Sequence, residues 1–499
     1  MSGVTGLADR VLGRNRPARS GPRFLDRPYA SVQLLVLAAA GLLGFGVLMA
    51  VSTTIAASHD TNGTTTAAIW TQVIKEAEFV ALGVPLFWMA VRLPPRAYRV
   101  LAYPALALAI VALLAVLVPG IGVGVYGARR WIDLGPMQVQ PSEFAKIAIL
   151  LWGGDLLARK QQLGTLRRAR HLFLPLLPGF ALVATLVMLE PDLGTTACFM
   201  LILLGLLWMV GMPMRYFTLV VAFIGLTITA LAVAAPYRLQ RLTTYLHPFK
   251  DAQNTGFHTV EGLYALASGG IFGVGLGQGT SKYGWVPNAN TDYVFAIIGE
   301  ELGLIGCLTV LGLFAVLAYA GLRVARRNAD PFVRLVAGAA TVWLCGQAVI
   351  NIGYVTGLLP VTGIPLPFIS AGGTSLLGSI FVLGMMVSFA RHETAAVSAA
   401  RRSERRGTRT RLERWCRIPV PKSYLAPKRR STRIATAGPA RAPAPAPAQR
   451  PAPASSPARA PAVVPARRPA PVRRPAPAAR AASAPLRATG TDGMPRRQR

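Results

Sequence analysis

Asp292 is a candidate for chemistry, because it lies where a polar loop changes abruptly into an apolar helix. It lies in the segment NANTDYVFAIIGEELG, with Glu300 and Glu301 two helical turns further on. A carboxylate at the edge of a membrane meets both water and partly dry surroundings, which suits a general base. The competing interpretation is that Asp292 only caps the helix that follows.

A second polar cluster begins the apolar segment that follows residue 140. Glu143 and Lys146 are three residues apart and therefore share one face of a helix, for which Ser142 is the expected N-cap. The pair either forms a salt bridge at the helix end or, together with Arg130, binds an anionic ligand.

Two further clusters lie in polar segments between apolar runs. Arg238 and Arg241 share a face if their segment is helical. Arginine binds phosphate through two parallel hydrogen bonds, so the two residues either meet an anionic substrate or contact lipid headgroups. Glu190 and Asp192 flank Pro191. They could serve acid–base chemistry or hold a cation, or they could form a simple turn in which Asp192 caps the next helix.

Cofactor motifs are weak or absent in this sequence. The four cysteines show no paired spacing and predict neither a disulfide framework nor a metal site. The alternating glycines at 273, 275, 277 and 279 lack the strand–turn–helix context of a nucleotide site, so we expect them to permit close backbone contact instead. No cofactor and no nucleic acid are predicted, although the Glu190–Asp192 pair permits a divalent cation without requiring one.

The elements that must position these residues are membrane helices. The 499-residue chain is 53% hydrophobic and only 15% charged, whereas a soluble domain carries about 25% charged residues. Ten apolar runs are long enough to cross a bilayer, which predicts an all-α polytopic membrane protein with ten transmembrane helices. They cover residues 31–52, 70–91, 99–119, 142–158, 171–189, 194–212, 216–235, 292–322, 335–357 and 370–390. The eighth run is interrupted by Gly299, Gly303 and Gly306.

Positive charge predicts the orientation of these spans. With the N-terminus in the cytoplasm, the inner loops and the N-terminal segment carry 19 Lys and Arg, and the outer loops carry 6. Both termini are therefore expected to be cytoplasmic. A large loop over 236–291, between spans seven and eight, is expected outside the cell.

The predicted domain organisation has three parts. A basic cytoplasmic segment covers 1–30, the membrane domain covers 31–395, and an Arg/Pro/Ala-rich tail covers 396–499. Residues 401–499 contain 25 Lys and Arg against 3 acidic residues, and few large apolar side chains. Such a composition predicts a disordered tail that binds an acidic partner or anionic lipid.

Five motifs, in this order, resemble the SEDS family of cell-wall glycosyltransferases over roughly residues 30–395. They are WIDLG…QPSEFAK, EPDLGT, YR..R…HPF, GLGQG.SKYG.VP.A.TDYVFAIIGEELG and GLLPVTGIPLPFISAGG.S. The resemblance implies a ten-helix bundle that polymerises lipid II, an undecaprenyl-pyrophosphate disaccharide-pentapeptide, outside the membrane. It also implies that Asp292 is the base that deprotonates the 4-hydroxyl of the acceptor sugar, with inversion at the donor.

The resemblance also implies the remaining site residues. The leaving pyrophosphate needs cations, for which Arg238, Arg241, Lys146 and Lys282 are the outer-face candidates. Glu143 and Lys146 match the PSEF-x-K motif that lines the family's central cavity. Independently of the resemblance, Ser370 belongs to the small residues that begin the last helix, which permit either tight helix packing or backbone contact with a ligand.

The motifs and the tail resemble the division branch of the family more than its elongation branch. This implies septal cell-wall synthesis in the cell membrane, with a class B penicillin-binding protein transpeptidase as partner. The tubulin-like division protein FtsZ is a further expected partner, through the basic tail. Two functions from other classes remain open: a lipid II transporter, which would place its essential charges near the bilayer midplane, and a non-catalytic division scaffold.

Overall fold

A computed structural model describes most of the membrane domain and a short part of the tail. The described residues are 25–57, 66–125, 128–133, 135, 137–167, 169–233, 245, 248–251, 256–283, 286, 289–406, 419–421 and 424. Arg238 and Arg241, two predicted substrate-binding residues, lie outside them.

Helices make up most of the described chain. They are α1 (Ala30–Ala57), α2 (Thr66–Arg92), α3 (Pro95–Leu117), α4 (Pro141–Leu163), α5 (Ala169–Phe173), α6 (Leu176–Leu189), α7 (Leu193–Met209), α8 (Met214–Val233), α9 (Phe257–Ser268), α10 (Val294–Arg327), α11 (Pro331–Val355), α12 (Gly373–Arg391) and α13 (Thr394–Arg405). Short 3₁₀ turns cover Thr165–Arg167 and Pro248–Asp251. Each of the ten predicted apolar runs coincides with a helix, and the fifth run is divided between α5 and α6.

The helices have the length and surface of a membrane protein. Five of them within the described residues are long and apolar enough to cross a bilayer, and three shorter ones are also apolar. The long ones are Ala30–Thr53, Pro95–Leu117, Val294–Arg327, Pro331–Val355 and Gly373–Arg391. Large apolar side chains such as Val100 and Leu108 are 74% and 70% exposed on the outside of the bundle. In water such a surface is unfavourable, whereas in a bilayer it faces lipid tails.

The expectation of an all-α fold is wrong in one place. Between α3 and α4 lie three short antiparallel strands, β1 (Gly122–Val125), β2 (Ala128–Asp133) and β3 (Gln138–Val139), with β2 in the middle. Val123 pairs with Trp131, and Ile132 pairs with Val139. The segment is too short and too rich in glycine and β-branched residues for a helix, and pairing satisfies its backbone groups outside the bundle.

A break in α10 confirms that Gly303 interrupts the eighth apolar run, whereas Gly299 and Gly306 are helical. Gly303 has φ +65° inside the helix, and the loop 269–279 packs against this break. Four backbone hydrogen bonds join the two: Val274 to Glu300 at 2.9 Å, Gly275 to Glu301 at 3.1 Å, Leu304 to Gly270 at 3.0 Å and Ile305 to Ile271 at 3.3 Å. A Cβ on Gly273 would lie 2.2 Å from the carbonyl oxygen of Glu301, so the glycine run does permit close backbone contact.

The predicted tail boundary at residue 396 falls inside α13. This helix buries Ala396 and Val397, and its exposed residues include Arg401, Arg402 and Arg405. Further along, Pro419 accepts a hydrogen bond from Arg391, and Gln162 donates one to the Tyr424 hydroxyl. The first part of the tail is therefore ordered, because its few apolar residues pack against the membrane domain. The other residues of the predicted disordered tail lie outside the described part of the chain.

Candidate active site

Asp292 lies two residues before α10, in a half-buried position. Its carbonyl oxygen accepts hydrogen bonds from Asn351 Nδ2 and the Tyr354 hydroxyl, both at 3.0 Å. The same two groups lie 2.7 and 2.9 Å from the carbonyl oxygen of Ile364. The end of α11 therefore ties the backbone of Asp292 to the loop 356–372, which connects α11 and α12.

The Asp292 carboxylate stands over this loop at Gly363. A Cβ placed on Gly363 would lie 3.6 Å from Oδ2 of Asp292, and the glycine has φ +67°. Most other side chains are strained at this φ, and one here would also occupy the space beside the carboxylate. The loop thus leaves the carboxylate bordered by backbone.

Ser370 has a different role from the predicted ligand contact. It is 5% exposed, its Oγ accepts a hydrogen bond from Leu366 N at 2.7 Å, and it donates one to Thr291 O at 2.6 Å. Ala371 N donates to Asn290 O at 3.0 Å. The Ser370 hydroxyl is therefore used within the protein, and Ser370 and Ala371 together hold the two residues before Asp292 against the loop 356–372.

Glu143 and Lys146 form an ion pair inside the bundle. Their charged atoms are 2.8 Å apart, and the side chains are 6% and 1% exposed. The ammonium lies 5.2 Å from the ring centre of Trp343 in α11. The expected N-cap is wrong: Gln140 occupies the cap position without a side-chain hydrogen bond, and Ser142 is buried inside the first turn.

This ion pair connects to the loop 356–372 through two side chains of α11. Trp343 Nε1 donates to Gln347 Oε1 at 2.9 Å, and Gln347 Nε2 donates to Pro365 O at 2.8 Å. Asn351 lies one turn further along the same helix face. The sequence analysis missed Gln347 and Asn351, although amide side chains within an apolar helix are a recognisable signal of a functional position.

The turn between α6 and α7 adds a third polar group. Asp192 caps α7 by accepting from Thr195 N at 3.0 Å, as the capping interpretation predicts, and it accepts from Gln140 Nε2 at 3.2 Å. Arg130 on β2 donates to the carbonyl oxygens of Glu190 and Pro191. Part of its donor capacity is therefore used to fix this turn.

Glu190 is 1% exposed, and neither carboxylate oxygen has a hydrogen-bond partner within the described residues. Burial raises the pKa of Glu190 to about 8, with a further increase from Asp192 and a decrease from Arg130. Among the described residues, no group of three or more His, Cys, Asp and Glu could hold a metal ion.

Lys282 is not a surface cation, contrary to prediction. Its Nζ lies 2.7 Å from Glu301 Oε1 and 2.8 Å from Ser52 Oγ, and both charged side chains are fully buried. Glu300 accepts hydrogen bonds from the backbone of Thr280 and Ser281. The two glutamates therefore fix the loop that follows the glycine run. An outward position for Lys282 would have left the buried Glu301 with the Ser52 hydroxyl but without a cation.

An apolar cavity lies beside Ser370 and the loop 356–372. It has a volume of about 440 Å³ and is lined by α1, α2, the end of the loop 356–372 and the start of α12, including Val47, Phe79 and Phe368. It suits a hydrocarbon chain that approaches from the side of the bundle. The loop 356–372 thus has a carboxylate, a buried ion pair and an apolar cavity around it.

Comparison with known proteins identifies the family of this chain. A family model for FtsW, RodA and SpoVE, described as cell cycle protein, matches residues 33–395. The probable peptidoglycan glycosyltransferase FtsW of Mycobacterium tuberculosis is 41% identical over 417 residues, which cover 83% of this chain and 78% of the relative. The corresponding protein of Synechocystis is 36% identical over 360 residues, covering 71% and 88%.

Solved structures show the same fold. A chain from a peptidoglycan synthase complex has a TM-score of 0.58 and 26% identity, covering 72% of this chain and 96% of its own length. RodA of Thermus thermophilus has a TM-score of 0.51 and 26% identity, covering 72% and 96%. The family match extends over most of the chain and includes every motif that carried the resemblance. This protein therefore belongs to the FtsW/RodA/SpoVE family, the SEDS family that its motifs indicate.

Proposed function

We propose that this protein is a peptidoglycan glycosyltransferase that polymerises lipid II into β-1,4-linked glycan strands during septal cell-wall synthesis. The observation that carries the proposal is the position of Asp292, held by Asn351 and Tyr354 over the loop 356–372. The names of the FtsW relatives support the activity and favour the division role over elongation. The apolar cavity beside the same loop supports a lipid-linked substrate.

In the proposed reaction, Asp292 takes the proton from the 4-hydroxyl of the acceptor sugar. The oxygen attacks the anomeric carbon of the donor and forms the new glycosidic bond. The bond from that carbon to the pyrophosphate oxygen breaks, and the electron pair leaves with the lipid pyrophosphate. One displacement inverts the anomeric configuration, and a base of this kind contributes about 10²- to 10⁴-fold to the rate.

Cations stabilise the negative charge on the leaving group in this mechanism. The proposed cations are Arg130, Arg238 and Arg241. Lys146 and Lys282 are left out because Glu143 and Glu301 neutralise them in the interior. No cofactor takes part in the proposed steps. The acidic turn at Glu190 and Asp192 remains compatible with a divalent cation.

The proposed topology has ten spans with both termini in the cytoplasm and the loop 236–291 outside. Ten helical runs and the excess of basic residues in alternate loops support it. Asp292, the three-stranded sheet and the 190–192 turn then face the outside, where lipid II is polymerised.

A class B penicillin-binding protein transpeptidase is the proposed partner at the septal membrane. Support comes from the structural relative, which belongs to a complex that coordinates polymerization and crosslinking. We further propose that the basic tail binds acidic residues of FtsZ.

Lipid II transport is the second candidate function, because the buried Glu143–Lys146 pair would suit a translocation pathway. The test is polymerisation of labelled lipid II by the purified protein with its transpeptidase, comparing wild type, Asp292→Asn and the control Glu261→Gln. Polymer from wild type and control, with none from folded Asp292→Asn, is the expected result. Polymer from all three proteins would show that Asp292 is not the catalytic base. No polymer from any of them, with the partner present, favours transport or a scaffold role.

A further inference from the structure

A second cavity lies at the opposite end of the bundle from Asp292, where α2 meets α3 and α12 meets α13. Its volume is about 680 Å³. Six arginines line it: Arg92, Arg96, Arg391, Arg401, Arg402 and Arg405. None of them belongs to the proposed glycosyltransferase site.

The cavity is built by ordered contacts between segments that are distant in the chain. Arg391 donates to Pro419 O at 2.8 Å, which brings the start of the tail across the opening. Ser388 Oγ donates to Leu93 O at 2.7 Å and holds α12 against the α2–α3 connection. The guanidinium of Arg92 lies 4.4 Å from the ring centre of Trp88, which orients it.

The charge in this cavity is largely uncompensated. Arg96, Arg401, Arg402 and Arg405 are exposed, and none has a carboxylate within ion-pair distance among the described residues. The carboxylate that lines the cavity, Asp330, is occupied by capping α11 through Phe332 N and by its 3.9 Å contact with Arg99.

The three arginines of α13 act as one surface. Arg405 is three and four residues after Arg402 and Arg401, so all three share a helix face. One turn earlier in the helix, Ala396 and Val397 are buried against the bundle. A basic helix directly after an apolar span is typical of a segment at an anionic membrane surface.

We propose that this cavity binds the phosphate headgroup of an anionic phospholipid. Guanidinium groups hold phosphate through paired hydrogen bonds, and six of them surround a space large enough for a headgroup. Apolar residues such as Val91, Val333 and Val397 line the same cavity and suit the glycerol and upper acyl chains. The cavity lies between helix ends of a membrane protein, which selects a lipid over a free phosphate of the same chemistry.

The test uses the full-length protein in nanodiscs of phosphatidylcholine with increasing phosphatidylglycerol, and native mass spectrometry counts retained phosphatidylglycerol. The triple variant Arg401→Gln, Arg402→Gln, Arg405→Gln is expected to bind phosphatidylglycerol about 100-fold more weakly. Each lost arginine contributes a factor of about five. The control Arg215→Gln, Arg326→Gln, Arg406→Gln loses the same charge from exposed arginines that do not line the cavity. It is expected to stay within threefold of wild type. Thermal unfolding checks that both variants are folded.

Three outcomes would overturn the proposal. Equal losses in both triple variants would indicate general attraction to the membrane. Displacement of the lipid by millimolar inorganic phosphate or ATP would identify a site for free anions. Binding of an acidic peptide to the cavity arginines, with no preference for phosphatidylglycerol, would identify a protein partner. Because polymerisation is measured separately, failure here is distinguishable from failure of the proposed activity.

Discussion

Replacing Lys282 by methionine tests whether its role is structural. In the structure its ammonium lies 2.7 Å from Glu301 Oε1, and both side chains are 0% exposed. Removing the lysine leaves an uncompensated buried carboxylate, which costs about 3–5 kcal/mol. Replacing both charges by apolar residues, as Lys282→Met with Glu301→Leu, removes this penalty, because a buried pair is often no more stable than a packed apolar pair.

The assay is thermal unfolding in detergent for wild type, Lys282→Met, Glu301→Leu and the double variant. We expect the single variants to unfold about 5–10 °C below wild type and the double variant to recover most of the loss. The exposed Lys250 provides the control Lys250→Met, which is expected to have no effect.

Polymerisation assays on the same variants separate structure from catalysis. A folded double variant is expected to retain activity, because Lys282 does not reach the outer surface. The reasoning would be refuted if Lys282→Met were as stable as wild type, or if the double variant were no more stable than the singles. A stable double variant with no turnover would indicate that Lys282 does stabilise the leaving pyrophosphate.

Three further predictions concern the site and the helix break. Asn351→Leu removes the amide that donates a hydrogen bond to Asp292 O. We expect turnover to fall at least tenfold with a smaller change in KM, measured on protein whose circular dichroism is unchanged. Unaltered turnover would contradict a positioning role for Asn351. Burial raises the pKa of Glu190 from its ordinary value of 4.5 to about 8, so the folded protein favours the protonated carboxyl. Ionising Glu190 therefore destabilises the fold, and the free energy of unfolding should fall as pH rises from about 4.5 towards 8. Glu190→Gln should flatten the dependence of Tm on pH over that range, and a slope identical to wild type would exclude Glu190 as its cause. Gly303→Ala should lower the unfolding free energy by at least about 2 kcal/mol, because its Cβ would lie 2.4 Å from the facing backbone at φ +65°, whereas Gly312→Ala, with open space around it, should be neutral or stabilising.

Helix positions could be predicted from the sequence because apolar runs of membrane length are a local property. All ten runs are helical, and the interruption at Gly303 followed from the residue type. The strands at 122–139 could not be predicted in the same way, since their pairing depends on contacts between segments. The helix at Thr394–Arg405 could not be predicted for a related reason: Ala396 and Val397 are too few to signal a packed helix without the surface they meet.

The same distinction between local and long-range information applies to the candidate site. The sequence alone determined which chemical groups are present and in which motif each lies, including Asp292 before its helix, Glu143 and Lys146 on one face and the capping Asp192. It could not decide which partner each group meets in the folded chain, because the decisive pairs are 19 to 79 positions apart in the sequence. Only the tertiary structure decided that Lys282 pairs with Glu301 in the interior, that Ser370 holds Thr291, and that Asn351 fixes the backbone of Asp292. Local composition determines which helices form, whereas the packing of those helices determines which of their polar groups remain available for a substrate.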